Sequence, residues 1–217
     1  MEMEDIVLFG AGGHTKVVID IVEQMERHHI IGIYDDRPEL MGTTYFGYPV
    51  LGPIRSDYAV NRGIIGIGNN DSRALVSRII LEQAPEFEFV HAIHPSACIG
   101  RDVTIGAGAV VMAGAVINPS TTIGPHCIIN TMASVDHDCR VDAFASVGPG
   151  THLGGNVHVM GHSFVGIGAT VIHQVTIGSE SVIGAGATVV HDIPNNVIAI
   201  GSPAKPIRTR ETNEKFL

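Results

Sequence analysis

The 217-residue sequence contains no tryptophan, and aromatic residues make up only 5% of it although 45% is hydrophobic. The apolar material is therefore aliphatic, and there is ample for a packed core. Basic residues are scarce: 13 Lys and Arg stand against 22 Asp and Glu, a formal net charge of −9. A nucleic-acid partner calls for a basic stripe, so this balance argues against one, while a local patch could still hold a phosphate. No apolar run approaches membrane-spanning length. Met1-Glu2-Met3-Glu4-Asp5 is acidic and lacks the charged and apolar regions of a signal peptide. A cytoplasmic protein with no membrane partner is expected. The three cysteines, Cys98, Cys127 and Cys139, are odd in number. All three read as free thiols in packing roles, consistent with a reducing compartment.

What the sequence does have is a period. From Ile99 to Val189 an aliphatic residue recurs every six positions, as in Ile105, Val111, Ile117, Ile123, Ile129 and Val135, with no insertion. Two residues before each, from Ile105 on, stands a small or β-branched side chain, such as Ala109, Ala115, Thr121, Cys127 or Ala133. Glycine often follows the aliphatic residue, as at Gly100, Gly106, Gly124 and Gly178. A period of six fits neither a 3.6-residue helix nor an alternating strand. It fits short strands joined by tight corners and stacked as a parallel β-helix. The aliphatic side chain points inward, the small one lets the corner close, and the glycine is expected to supply backbone freedom at the turn.

Ahead of the repeat the chain alternates strand and helix. Ile6–Phe9, Ile30–Tyr34, Ile64–Ile67 and Phe87–Val90 read as buried strands, and Tyr48–Gly52 as an edge segment. Helices are predicted over Thr15 to about Met25 and over Asp71 to about Gln83, the latter with Asp71 as N-cap. This alternation indicates a small parallel α/β sheet of Rossmann type. Gly10-Ala11-Gly12-Gly13-His14 after the first strand approximates a dinucleotide fingerprint, but Thr15 stands where its third glycine would be. Glycines permit close backbone approach, and a helix N-terminus favours a phosphate. Asp35-Asp36 end the second strand, where a carboxylate can accept hydrogen bonds from a ribose or base edge. Gly68-Asn69-Asn70 ends the third strand on the same sheet edge. The alternative reading is a capping turn with solvated acids. His91 and His94 read as polar packing at the junction.

If eighteen residues make one coil, His137 is followed by Gly155, His173 and His191 on successive coils. His137 and His173 are then ~10 Å apart, twice the strand spacing, and too far for one zinc with bonds of about 2 Å. A metal site would need neighbouring chains, and no metal is expected. Gly155 leaves room over the His137 ring. His137 is flanked by Asp136 and Asp138. A carboxylate favours the imidazolium and raises basicity, and histidine is the side chain best poised for proton transfer near neutral pH. By composition alone, a solvated surface histidine is the competing reading.

The whole pattern resembles the hexapeptide-repeat nucleotide-sugar acetyltransferases of the bacillosamine and perosamine pathways, which share their architecture with the sialic acid O-acetyltransferase group. The similarity is carried by Gly10-Ala11-Gly12-Gly13-His14, Asp35-Asp36, Ile67-Gly68-Asn69-Asn70, Asn130-Thr131 through His137-Asp138-Cys139, Gly154-Gly155-Asn156-Val157 and Gly201-Ser202-Pro203-Ala204-Lys205. It implies an α/β Rossmann-like N-terminal domain over 1–93, a left-handed parallel β-helix over 94–200, and a C-terminal tail over 201–217, polar and frayed at its end. It also implies that Gly12, Gly13, His14, Asp35, Asp36, Gly68 and Asn69 contact a nucleotide-linked amino sugar. His137 would be the general base, with Asp138 as its orienting acid. Acetyl-CoA, the co-substrate, would meet Ser146, Gly155, Ile167, Ala185 and Lys205. Ser146 departs from the family, where a second histidine is frequent. A homotrimer with sites between subunits is implied, with a role in polysaccharide biosynthesis. Three other readings stay open: sugar O-acetyl transfer, a γ-carbonic anhydrase-like metalloenzyme on the same column, and a non-catalytic module that senses a nucleotide. The base and the 4-amino sugar stay open as well.

Overall fold

The computed structural model describes residues 3–55, 57–211 and 214. The first half builds one sheet from β1 (Glu4–Phe9), β2 (His28–Tyr34), β3 (Thr44–Tyr45), β4 (Tyr48–Gly52), β5 (Arg62–Ile65) and β6 (Glu88–Phe89). Their order is β3-β4-β2-β1-β5-β6, and every pairing is parallel except that of β3 with β4. Helices α1 (Gly13–Met25) and α2 (Asn70–Gln83) connect the strands. The two-residue period of a strand divides β1 between two cores. Ile6 and Leu8 pack with Val18, Ile19 and Val22 of α1. Val7 and Phe9 pack with Val76 and Ile80 of α2 and with Tyr34 and Phe87. Both faces of the sheet are thus covered, as a parallel sheet requires.

Two helix starts differ from expectation. Helix α1 begins at Gly13, and Gly12 precedes it with no side-chain cap. Asn69, not Asp71, caps α2: its Oδ1 accepts from the Ser72 N–H at 2.9 Å. Asp71 lies inside the first turn, where its charge suits the helix dipole.

The second half is a three-sided column of two-residue strands, each paired in parallel with the strand eighteen residues on. It opens at Ala92–Ile93, one hexad before Ile99. With the Rossmann-like sheet ahead of it, this gives the expected fold class, a left-handed β-helix behind an α/β unit. One face carries Val110, Ile128, Ser146, Phe164 and Val182 outward; the next carries Val116, Ser134, His152 and Thr170; the third carries Thr122, Arg140, His158 and Thr176. From Ala109 to Val189 both the aliphatic residue and the small one before it are buried in one continuous core, whereas Ile99 in the first coil is 39% exposed.

The small position does more than save space. Where it is polar it donates to a carbonyl in the next coil: Thr121 Oγ1 to Asp136 O at 2.7 Å, Cys139 Sγ to Gly154 O at 3.1 Å, Thr151 Oγ1 to Gly166 O at 2.7 Å and Ser163 Oγ to Gly178 O at 2.6 Å. Corner carbonyls turned inward would otherwise be buried without a donor.

The glycine after the aliphatic residue has a different role from the one expected. At Gly106 a Cβ would stand 2.5 Å from the backbone nitrogen of Pro125 in the coil above. Close stacking, not a left-handed dihedral, excludes a side chain there. The left-handed backbone falls at another phase: every sixth residue from Asp102 to Gly186 has positive φ, most of them not glycine. Such a conformation costs an L-residue roughly 1–2 kcal/mol. It is held by a corner-to-corner bond to the coil below, as from Asp138 N to Pro119 O at 3.1 Å and from Asn156 N to His137 O at 2.9 Å.

Helix α1 lies between the sheet and the column, where Ala92, Val110 and Ile128 join its core. Within the expected tail of 201–217, Ala204–Thr209 pairs antiparallel with Val197–Gly201, and the hairpin extends the same column face. Arg210 then folds inward and donates to Asp71 Oδ2 at 2.5 Å. The expected fraying at Leu217 lies outside the described residues. Cys127 and Cys139 are buried free thiols, but Cys98 is exposed and so has no packing role.

Candidate active site

The N-terminal cleft, about 410 Å³, is lined by the Gly10–His14 loop, Asp35, Asp36 and Arg37 from the end of β2, Ile54, and Gly66 to Gly68. The strand ends and the open start of α1 meet there, and the backbone N–H groups of an uncapped helix start suit an anion. Asp35 is not a free ligand. It is buried, its Oδ2 accepts from Ala11 N at 2.7 Å, and its Oδ1 accepts from Arg37 N at 3.0 Å and Arg37 Nε at 2.9 Å. Burial alone would raise its pKa, but these donors outweigh it and hold the carboxyl below the usual range. Asp35 thus fixes the glycine loop, and Arg37, which also donates to Ala11 O at 2.6 Å, is the exposed cation over the cleft. Sequence reasoning passed over Arg37, although it directly follows the acid pair. Asp36 accepts from Ile54 N at 2.8 Å through Oδ1. His14 packs beside Gly68, and its Nε2 is buried with no partner among the described residues. Burial, and then the nearby Arg73 cation, push its pKa down to about 4. The ring is neutral at physiological pH.

Arg73 is the residue that joins this cleft to the column. Its fully buried guanidinium donates to Ile67 O at 3.0 Å, Gly68 O at 2.9 Å, His126 O at 2.8 Å and Phe144 O at 3.1 Å, and to Asn70 Oδ1 at 2.8 Å. Burial lowers its pKa to about 10, which leaves it a cation at neutral pH. Ser146 belongs to the same network. Its hydroxyl donates to Asn70 Oδ1 at 2.6 Å and accepts from Arg73 Nη2 at 3.3 Å, and the residue is 3% exposed. The hydroxyl expected to meet the cofactor is thus engaged within the junction.

His137 stands on the outer corner between the second and third faces. Nδ1 donates to Asp138 Oδ2 at 2.7 Å, and both side chains are about half exposed. The left-handed backbone at Asp138 brings its carboxylate onto the ring of its own neighbour, where an extended strand would send the two apart. The His137 backbone N–H donates to Asp136 Oδ1 at 2.8 Å. From inside the column Thr121 brackets the turn: its hydroxyl donates to Asp136 O and accepts from Cys139 N at 3.2 Å. Hydrogen bonding to Asp138, then the charge of Asp136, raise the His137 pKa. With Nδ1–H committed, Nε2 carries the lone pair a general base needs. For a histidine acting as general base the neutral ring is the reactive form, so with His137 in that role kcat/KM is expected to rise with pH through the raised pKa. In Asp138→Asn that rising limb is expected at lower pH, with a plateau about tenfold lower as basicity falls. A pH–rate profile with an unmoved limb would reject the pairing.

Gly155 lies against the ring. A Cβ there would stand 2.6 Å from both Cε1 and Nε2 of His137. The backbone at Gly155 does not need glycine, so Gly155→Ala is expected to displace the ring while the unfolding midpoint hardly moves. Misplacement of about 1 Å can cost about 100-fold in rate; kcat should fall toward that, and full turnover in this variant would show that the ring has no fixed role.

Ile167 is 58% exposed on the corner between the first and second faces, with exposed Ala185 one coil on. Lys205 is exposed on the terminal hairpin, opposite Ile200, whose side chain crowds Gly184. Ile167, Ala185 and Lys205 thus gather at one end of the column, while His137 and Gly155 border the opposite edge of the second face.

A family model described as the PglD N-terminal domain matches residues 5–80. Among solved structures, a variant of perosamine N-acetyltransferase from Caulobacter crescentus in complex with CoA and GDP-perosamine is 38% identical, with a TM-score of 0.87 over 94% of this chain and 97% of that one. The acetyltransferase domain of PglB from Neisseria gonorrhoeae is 35% identical, with a TM-score of 0.87 over 94% of this chain and 100% of that one. A putative acetyltransferase of Schizosaccharomyces pombe is 47% identical over 68 residues, which is 31% of this chain and 33% of that protein. The first two similarities run through cleft, junction and column alike, and with them the chain belongs to the hexapeptide-repeat nucleotide-sugar N-acetyltransferases.

Proposed function

We propose that the enzyme transfers the acetyl group of acetyl-CoA to the C4 amine of a nucleotide-linked 4-amino-4,6-dideoxy sugar. The observation that carries this is the His137 ring: exposed, fixed by Asp138, and with Nε2 over a residue without a side chain. The amine nitrogen attacks the thioester carbonyl, His137 takes a proton from nitrogen, and the C–S bond breaks. The CoA thiolate then leaves and is protonated. Residues 1–93 hold the nucleotide sugar, with Gly12, Gly13, His14, Asp36, Gly68 and Asn69 at the cleft and Asp35 as its internal brace. Residues 94–200 supply the base and, with Lys205 from 201–217, the acetyl-CoA groove.

Topology supports a homotrimer with shared sites. The N-terminal unit covers the first face of the column, and His137 sits on the vertex opposite that face. The sugar nucleotide that reaches this vertex is then held by a neighbouring subunit. Among the described residues no helix is long and apolar enough to cross a membrane. The free thiols support a cytoplasmic location, and an N-acetylated nucleotide sugar is a donor suited to polysaccharide biosynthesis.

Thiol release should be measured with acetyl-CoA and UDP-, GDP- and dTDP-linked 4-amino-4,6-dideoxy sugars. Release with at least one of them is expected. Release with none, or only with hydroxyl acceptors, would overturn the reading.

A further inference from the structure

Asp136 was not among the expected site residues, yet its carboxylate is held by the fold itself, in a different way from that of Asp138. The oxygen of Asp138 that faces the ring is engaged by His137 Nδ1. Asp136 is held differently. Its Oδ1 accepts from Asn118 Nδ2 at 2.8 Å, one coil below, and from the His137 backbone N–H at 2.8 Å. Its Oδ2 has no hydrogen-bond or ion-pair partner among the described residues. The residue above it in the stack is Gly154, which has no side chain. Two fixed donors on one oxygen set the plane of the carboxylate and leave the other oxygen without a donor, one residue from the base.

That arrangement suits a cation. An alkyl amine reaches the enzyme largely as its ammonium, which has protons to give and no lone pair for attack. A hydroxyl acceptor carries no charge. We infer that Asp136 Oδ2 receives the ammonium of the acceptor sugar beside His137 and so selects an amine over a hydroxyl. Asn118 acts as the positioning residue that orients the carboxylate. The step balances with one proton released: the ammonium loses a proton through His137 Nε2, the freed nitrogen forms the bond to the acetyl carbon, a second nitrogen proton is lost as the amide forms, and the departing CoA sulfur takes one of the two. Asp136 stays ionised throughout, its pKa held down by the Asn118 bond first and the His137 N–H second.

The inference rests on the N-acetyl transfer proposed above, and the test separates the two. Asp136→Asn keeps an oxygen to accept from Asn118 and His137 N–H, so the turn is preserved, but it loses the charge. A hydrogen bond to a charged group accounts for about 10- to 100-fold in affinity. KM for the amino-sugar nucleotide should rise by about that factor in the variant, with KM for acetyl-CoA unchanged. The inhibition constant of the analogue bearing a 4-hydroxyl should stay put, so the preference for amine over hydroxyl collapses. Asn118→Ala should show the same trend more weakly. If the wild-type enzyme N-acetylates a sugar and Asp136→Asn retains its amine-over-hydroxyl preference, the inference is overturned and the function stands. If the wild type acetylates no amine, both fall.

Discussion

Replacing His137 by alanine is expected to lower kcat by about 10²–10⁴-fold, the usual contribution of a positioned general base. KM for acetyl-CoA should change little, and the unfolding midpoint should stay close to that of the wild type. The separation of these effects follows from where the ring sits. His137 is half exposed, and its side chain bonds only to Asp138 within the described residues. Its backbone bonds, to Asp136 Oδ1 and from Asn156 N, do not depend on the side chain. Removing the imidazole therefore leaves coil stacking intact and creates no cavity in the column core, which lies on the other side of the turn. What remains is proximity: both substrates are still held in line, so residual turnover above the uncatalysed rate is expected. Steady-state kinetics with thiol release and a denaturation curve on the same preparation check both halves. Unchanged kcat would reject the assignment.

Arg73→Leu should produce the largest loss of stability, about 3–5 kcal/mol, because several buried acceptors lose their donor at once. Arg73 is fully buried, and its donors serve carbonyls from two parts of the fold: Ile67 and Gly68 at the cleft, His126 and Phe144 on the column. Leucine, shorter than arginine, supplies none of those donors, and a buried carbonyl left unpaired costs about 1–3 kcal/mol. Desolvation of the guanidinium is recovered in the variant, which is why the expected loss is smaller than a sum over bonds. Domains are stable by only about 5–15 kcal/mol, so the effect is a large fraction of the total. Denaturant titration should show a clearly lower midpoint. Because Arg73 pins the Gly68 carbonyl at the cleft, the folded fraction should also show a raised KM for the sugar nucleotide with acetyl-CoA less affected. An unmoved midpoint would mean that water or neighbouring groups replace its donors.

Local chemistry made much of this readable without coordinates. The six-residue period set the strand length and the inward position of residues such as Val135 and Val147, and the family resemblance added the eighteen-residue stack. Steric rules act within a few residues there, and an error in one coil would have to be repeated in every other. The glycine loop after β1, Asp35-Asp36 and Gly68-Asn69 could be placed on one sheet edge because parallel strands end together. Gly155 over His137 followed from the same count of eighteen. The phase of the left-handed backbone did not follow: glycine marks tight stacking at Gly106, whereas positive φ falls on residues such as Asp138 and Phe144 that do not advertise it.

The partners of polar groups were not readable, because burial is a property of what packs against a residue rather than of the residue. An arginine on a helix gives no sign that it will be enclosed, and Arg73 is. A serine aligned with a cofactor-binding position gives no sign that Asn70 will cover it, and Ser146 is so covered. Two adjacent carboxylates look alike in sequence, yet Asp35 is a brace and Asp36 faces the cleft mouth. The sequence by itself determined the coil, its period and the single histidine held between two acids. Only the tertiary structure decided that Asn118 holds Asp136 and that Arg73 joins the two halves, since each depends on groups that meet across long stretches of chain.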